Sequence, residues 1–166
     1  TPRFNIDGRK IKSELWRDRQ IFQNTSIDSI QIQYHETPNR NFSLTSECNI
    51  LYGNKQQKTI DSTSCANYFQ LFKKLNCEGF SNDLAKKDSL LASPPFHTLR
   101  VYYSNGNIKK LETYHKKPKR KEYQNEDGTP LKYDINRLYA FDGEDLLLIQ
   151  NYTFNPILKP KFTVEK

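Results

Sequence analysis

The sequence contains no methionine, one tryptophan and six glycines, and no long apolar run. A membrane-spanning helix needs roughly 18 consecutive apolar residues, so no segment of this chain predicts one. The three cysteines match no zinc-ligand spacing, and the few glycines form no phosphate-binding loop. The sequence therefore indicates neither a metal nor a cofactor.

Catalytic signatures are also missing. The three histidines stand in no nucleophile–base pattern, and no serine or cysteine lies in a nucleophile elbow. Carboxylates are grouped only where turns are predicted, at Glu126-Asp127 and from Asp142 to Asp145. No catalytic residue is predicted, and an enzyme whose active site is assembled from distant parts of the chain stays an alternative.

Aromatic side chains and positive charge are what the chain has in quantity, with ten Tyr, ten Phe and a net charge of +7. Its 166 residues predict one monomeric domain. We expect strands in residues 1–60, a helix and connector in 61–97, a hairpin region in 98–155 and a tail in 156–166. An amino terminus that reads Thr1-Pro2 is typical of a processed product or an excised piece, so an extracytoplasmic location is one hypothesis.

Alternating apolar residues predict strands before the helix. The segment from Ile30 to His35 is apolar at every second position, and the Pro38-Asn39 pair after it favours a turn. The next strand is expected to run unbroken from 42 to 52. Its inward face would consist of Phe42, Leu44, Cys48, Ile50 and Tyr52.

One main helix is predicted at about residues 62–77, capped by Asp61 or Ser62. If Cys65 and Cys77 are both helical, a rise of about 1.5 Å per residue separates them by roughly 18 Å. A disulfide needs Cα atoms within about 7 Å, so these two are not expected to pair. In an exported protein we expect Cys48 to pair with Cys65 or with Cys77.

Turn signals after residue 98 predict consecutive hairpins. Asn105-Gly106 favours a two-residue turn that sets Tyr103 opposite Ile108. Glu126-Asp127-Gly128 fits a three-residue loop, and a turn over 142–145 would set Phe141 opposite Leu146. A helix capped by Asp142 is the competing interpretation of the apolar run that follows. The predicted fold class is α+β, an antiparallel meander of hairpins with the main helix packed on it.

The stretch from Tyr102 to Lys109 reads YYSNGNIK, and Asn125 to Leu131 provides a second, related segment whose glycine follows 22 residues after Gly106. Residues 99–152 thus resemble the bacterial variant of MORN hairpin repeats. Some proteins with such hairpins are similar to antitoxins or surface lipoproteins. The resemblance implies a protein-binding role without catalysis.

Positive charge is densest from residue 109 to residue 121, where seven cations fall within thirteen residues. Two tyrosines accompany them. The candidate binding residues are Lys109, Lys110, Tyr114, Lys116, Lys117, Lys119, Arg120, Lys121 and Tyr123. A cationic strip with aromatics can bind an acidic protein or nucleic acid, and it can also be a solvated loop that protects a sheet edge.

The segment from Lys116 to Lys121 is expected to protrude into solvent as a stiff tip, because Pro118 lacks an N–H and burial of five cations is costly. From the strip and the missing catalytic signatures, we expect a binding module whose partner is a protein with an acidic surface. Nucleic-acid binding by the same strip, including a role as a nuclease accessory, is the alternative.

Overall fold

The structure is a computed structural model that describes residues 17–119 and 124–165. Its strands are β1 (Ile27–Tyr34), β2 (Phe42–Thr45), β3 (Asn49–Tyr52), β4 (Lys58–Thr59), β5 (Gly79–Phe80), β6 (His97–Tyr103), β7 (Ile108–His115), β8 (Arg137–Phe141) and β9 (Leu146–Gln150). Its helices are α1 (Ser62–Phe72), α2 (Lys87–Ala92) and α3 (Asn151–Leu158), with a short 3-10 turn at Pro38–Arg40.

The strands form one sheet of nine in the order β4-β3-β2-β1-β6-β7-β8-β9-β5, and neighbouring strands are antiparallel. Two meanders, β1–β4 and β6–β9, meet where β1 pairs with β6, and Tyr34 lies opposite His97 there. One antiparallel sheet of consecutive hairpins, accompanied by helices, confirms the predicted α+β meander. The joint between the meanders brings together residues that are far apart in sequence.

The segment from 42 to 52 is a hairpin, and the prediction of one unbroken strand was wrong. β2 ends at Thr45 and β3 begins at Asn49, and the Cys48 N–H donates to the Thr45 carbonyl to close the turn. Cys48 adopts a left-handed φ of 65°. An apolar alternation that resumes after a tight turn resembles a continuous strand, which is why the sequence concealed the reversal.

The register of the first predicted hairpin also differs from the expectation. Tyr102, and not Tyr103, lies opposite Ile108. The Tyr103 N–H donates to the Asn107 carbonyl and only Gly106 has a positive φ, of 86°, so the loop has three residues. This one-residue shift leaves the Ile108 side chain 61% exposed on the outer surface.

The later turns agree with the sequence. Gly128 has a φ of 81°, and the Asn125 N–H donates to the Thr129 carbonyl across the predicted three-residue loop. The turn over 142–145 sets Phe141 opposite Leu146, as predicted.

The inner face of the sheet carries the hydrophobic core. We use this name for the face on which Ile32, Leu99 and Leu111 are fully buried. Helix α1 packs on this face, with the Tyr68 ring centroid 6.4 Å from that of Phe42. The Asp61 side chain accepts from the Ser64 N–H at 2.8 Å and caps the helix as predicted.

Helix α1 ends at Phe72, five residues before the predicted end. The chain then turns back along the segment near residue 20, where the Ile21 N–H donates to the Leu75 carbonyl and the Cys77 N–H donates to the Arg19 carbonyl. Backbone pairing with a segment far away in sequence therefore replaces the last predicted helical turn.

Residues 151–158 form helix α3, although this stretch was expected to end the hairpin region and begin a surface tail. Phe154, Ile157 and Leu158 are buried. The Tyr34 hydroxyl donates to the Leu158 carbonyl at 2.6 Å, and the Tyr68 hydroxyl donates to the Ile157 carbonyl at 2.9 Å. Two core tyrosines thus satisfy carbonyl groups at the end of this helix.

The outer face of the sheet is covered at its β7–β9 end. The connection from β5 to β6 crosses this face, and the Lys87 ammonium lies 5.9 Å from the centre of the Phe141 ring. Tyr114 and Leu146, which share this face, are buried as a result. Strand β9 is consequently buried on both faces.

Candidate functional site

Lys109 and Lys110 point to opposite faces of β7, and each has a carboxylate partner. The Lys109 ammonium lies 3.1 Å from Asp142, and the Lys110 ammonium lies 2.9 Å from Glu112. Because each charge is balanced locally, this part of the basic strip presents little net positive charge to a partner.

Tyr114 and Lys116 are buried, so neither lies on an accessible binding surface. Burial raises the pKa of the Tyr114 hydroxyl. Lys116 is only 7% exposed, its ammonium lies 3.6 Å from the Asp134 carboxylate, and it also donates to the Lys117 carbonyl at 3.3 Å. The expectation that all five cations of the 116–121 segment face solvent was therefore wrong for Lys116, because Asp134 compensates its charge.

Lys117 and Lys119 are exposed, as the sequence predicted for the tip. The other three predicted residues of the strip, Arg120, Lys121 and Tyr123, lie outside the described residues. The basic strip is thus divided by the structure. Of its described cations, two are paired at the surface, one is buried and two face solvent.

The segment 131–137 folds back against the end of β7 and adds a cation that the sequence analysis did not select. The Tyr133 ring stacks on His115 at 4.0 Å with an interplanar angle of 9°, and the Asp134 N–H donates to the Lys116 carbonyl at 2.7 Å. Lys132 is exposed, with its ammonium 5.0 Å from the centre of the Tyr133 ring. Two segments of the chain are in this way held side by side.

A small cavity of about 120 Å³ opens between these two segments. Pro118 and Lys119 line it from one segment, and Leu131 and Ile135 line it from the other. Ile135 is 65% exposed. The cavity thus combines apolar side chains with the charged Lys119, Asp134 and Arg137.

The three histidines, which the sequence left unconnected, lie close together where β1 ends, β6 begins and β7 ends. The Phe96 ring lies between two of them, with its centroid 3.9 Å from that of His97 and 4.0 Å from that of His115. His35 contacts the Thr98 hydroxyl at 2.8 Å. The β6–β7 hairpin brings His97 and His115 together, and the pairing of β1 with β6, which no local signal in the sequence indicates, adds His35.

His97 is the buried member of this group, at 5% exposure. Its Nδ1 lies 2.8 Å from the Thr113 hydroxyl, and its ring packs on that of Tyr34 in a T-shaped arrangement with centroids 5.3 Å apart. Burial, reinforced by the positive charge of nearby His115 and Arg40, lowers the pKa of His97 to about 4. Since the Thr113 side chain is buried as well, this contact joins two strands and offers no accessible nucleophile.

His115 is a partly exposed member of this group, and it connects the group to the tip. Its Nε2 lies 2.8 Å from Glu36, and its ring lies between Phe96 and Tyr133. The histidine group therefore supports the 131–137 segment that carries Lys132. We interpret it as a structural element beneath that segment.

The cysteines pair as one of the two predicted alternatives. Cys48 and Cys65 form a disulfide with Cα atoms 5.6 Å apart, which links the β2–β3 turn to α1. Cys77 is a free, buried thiol whose pKa is raised by burial. A buried thiol with a raised pKa is poorly reactive.

Within residues 17–119 and 124–165, no three His, Cys, Asp or Glu side chains are grouped so that they could hold a metal ion. No helix in the described part of the chain is long and apolar enough to cross a membrane.

Comparisons with known proteins found no counterpart. No family model matches the sequence, and neither a curated protein nor a solved structure is similar enough to count as a match.

Proposed function

We propose that this chain is a non-catalytic binding module that engages an acidic surface of another protein. The basic surface that we assign to this role consists of the exposed Lys117, Lys119 and Lys132 together with the adjoining cavity. The observation that carries the proposal is the exposure of these three lysines on two segments held side by side, with Lys119 lining a cavity that it shares with Leu131, Asp134 and Ile135. No carboxylate of the described residues lies within ion-pair distance of any of the three lysines.

The support beneath the basic surface favours binding. The ion pair between Lys116 and Asp134 and the stack of Tyr133 on His115 hold the two lysine-bearing segments in place. A surface that is ordered before binding loses less conformational entropy when a partner docks. The charges increase the rate of encounter with an acidic partner, and the apolar side chains of the cavity contribute contact area after docking.

The distribution of charge favours a protein over nucleic acid. Affinity for nucleic acid grows with the number of phosphates that are neutralised. In the described part of the strip, Lys109, Lys110 and Lys116 are already engaged with carboxylates. Of the lysines that remain, Lys119 lines a cavity with apolar side chains, which suits a protein surface that combines carboxylates with an apolar residue.

A charge-reversal experiment tests the proposal. The double variant Lys117→Glu/Lys119→Glu and the wild-type chain are used to capture partners from host extract with a lysine-reactive cross-linker. The matched control, Lys55→Glu/Lys58→Glu, changes the net charge equally at exposed positions near β4. We expect a partner that wild type and control retain and the tip variant loses, with cross-links at Lys117, Lys119 or Lys132.

Equal capture by all three proteins would refute the role of the basic surface. A second measurement addresses the alternative partner class. A single-stranded and a duplex oligonucleotide are titrated at about 50 mM salt, and we expect the basic surface to bind neither. If the wild type binds an oligonucleotide, the tip variant does not, and the affinity declines steeply as salt increases, then the partner is nucleic acid and not a protein.

A further inference from the structure

A second groove, of about 470 Å³, lies beside the basic surface and has a different chemistry. It is formed where β8 begins, where β9 ends and along the first turn of α3. Its lining includes four carboxamide side chains and two exposed apolar ones, namely Asn136, Gln150, Asn151, Asn155, Ile135 and Tyr152. The volume lies within the range of about 300–1,000 Å³ that is usual for small-ligand sites.

Three of the four carboxamides leave hydrogen-bonding capacity open at the groove, whereas Gln150 hydrogen-bonds the Glu78 carboxylate. Asn151 donates through Nδ2 to the Ile135 carbonyl at 2.8 Å, and its amide oxygen is left to accept. In the described part of the chain, the side chains of Asn136 and Asn155 have no hydrogen-bond partner. A carboxamide both donates and accepts, so it can follow either orientation of a hydroxyl group.

Tyr152 contributes a ring that no other described side chain covers. It is 89% exposed, the largest value among the exposed apolar side chains of the described residues, and Ile135 at 65% lies in the same groove. Pro156 has no N–H to offer the Tyr152 carbonyl, so that carbonyl lacks its usual i+4 helical donor. The groove thus combines a flat apolar ring with neutral polar groups.

Among the described residues that line the groove, the charged side chain is that of Arg137, and it is paired. Both carboxylate oxygens of Glu78 accept hydrogen bonds from it, at 2.7 Å and 3.0 Å. The hydrogen bond from Arg137 is the largest cause that lowers the pKa of Glu78, so the pair stays ionised and mutually neutralised. A charged ligand gains little here, whereas a neutral polar ligand can use the carboxamides.

We infer that this groove binds a neutral oligosaccharide. Sugar rings present an apolar C–H face that packs on an exposed aromatic ring, and their hydroxyl groups donate and accept as carboxamides require. A protein that covered this groove would bring charged groups or larger apolar side chains. The groove offers such groups one ring and one aliphatic side chain, which favours a saccharide over a protein. The groove shares Ile135, Asn136 and Arg137 with the cavity of the basic surface but includes neither Lys117 nor Lys119, and the inference does not depend on the proposed protein partner.

Binding is measured by NMR titration of the ¹⁵N-labelled chain with chitotriose, maltotriose and xylotriose, each to about 10 mM. A small neutral ligand in an open groove is expected to bind with a dissociation constant near 1 mM, which corresponds to about −4 kcal/mol. We expect at least one trisaccharide to shift the amide signals of residues 135–137 and 150–155. Tyr152→Ala should weaken that binding at least tenfold, because the stacking ring is lost.

Ile108→Ala is the matched control, since Ile108 is 61% exposed on a different part of the sheet and should leave saccharide binding unchanged. No shift with any trisaccharide would overturn the inference, as would equal binding by wild type and Tyr152→Ala. A response confined to a polyanionic saccharide, or to the peptide triglycine, would overturn it too. Lys117→Glu/Lys119→Glu should retain saccharide binding, which separates failure of this site from failure of the basic surface.

Discussion

The two halves of the sheet are stabilised in different ways. The β1–β4 half is joined to α1 by the Cys48–Cys65 disulfide and by an aromatic core in which Tyr68 meets Phe42. Ion pairing and ring stacking stabilise the β7–β9 half, where Lys116 pairs with Asp134 and His115 stacks on Tyr133. Reduction should therefore destabilise the first half, and loss of charge should destabilise the second.

Removal of the buried charge in the β7–β9 half should have the largest effect. Lys116→Ala leaves the Asp134 carboxylate largely buried without its cation, and we expect the free energy of unfolding to fall by about 3 kcal/mol. Lys110→Ala, which breaks the more exposed pair with Glu112, should cost less than about 1 kcal/mol. Urea unfolding measures both, and equal losses would contradict the distinction between them.

Loss of the disulfide tests the β1–β4 half. Its cysteines are 17 residues apart, and closure of a loop of that length contributes about 3 kcal/mol. We expect dithiothreitol to lower the free energy of unfolding by a comparable amount in the wild type and in Cys77→Ala. The reductant should leave Cys48→Ala/Cys65→Ala unchanged, and an equal effect on that variant would show that the bond is not the cause.

The pH dependence of stability tests the joint between the halves. His97 has a folded pKa of about 4, below the 6.5 of the unfolded chain, so the unfolded state binds the proton more tightly. Stability is therefore greatest above pH 6.5 and falls as the pH drops toward 4, with a loss of about 2 kcal/mol at pH 5.

Urea unfolding between pH 7 and pH 5 measures this slope, and His97→Leu supplies the control. The substitution can lower stability at every pH, but it should flatten the slope because the titrating group is gone. A slope that His97→Leu leaves unchanged would assign the effect to other groups.

Charge reversal at the tip should have the smallest effect on stability. Lys117→Glu/Lys119→Glu is expected to keep the melting temperature within a few degrees of wild type, since exposed unpaired charges contribute little. Lys109→Glu, which sets a carboxylate beside Asp142, should lower it further. Thermal unfolding at low salt compares them, and a large loss in the tip variant would show that Lys117 and Lys119 support the fold.

Much of the architecture could be predicted because its signals are local. The three-residue loop at Gly128, the turn over 142–145 and the start of α1 at Asp61 each depend on a few adjacent residues. The register at Gly106 was predicted wrongly, because Asn-Gly also fits a three-residue loop with one left-handed glycine. The turn residues thus predicted where the chain reverses but not how many residues the loop contains.

The candidate site was less accessible to prediction. Lys116 and Lys117 are adjacent and identical in the sequence, yet one is buried against Asp134 and the other faces solvent. The groove beside Tyr152 depends on α3, which the sequence did not reveal because Pro156 and the short apolar run favoured a surface tail. Contacts between segments, and not residue type, decided which side chains are available to a partner.

The amino-acid sequence was enough to predict the α+β class, most of the turn positions and the excess of positive charge. These properties follow from composition, backbone preferences and side-chain spacing within a few residues. Three other features depend on how the whole chain packs, namely the pairing of β1 with β6, the choice of Cys65 as the partner of Cys48, and the burial of Lys116. Such contacts join residues far apart in the chain, and their stability depends on the surface buried when all elements pack together.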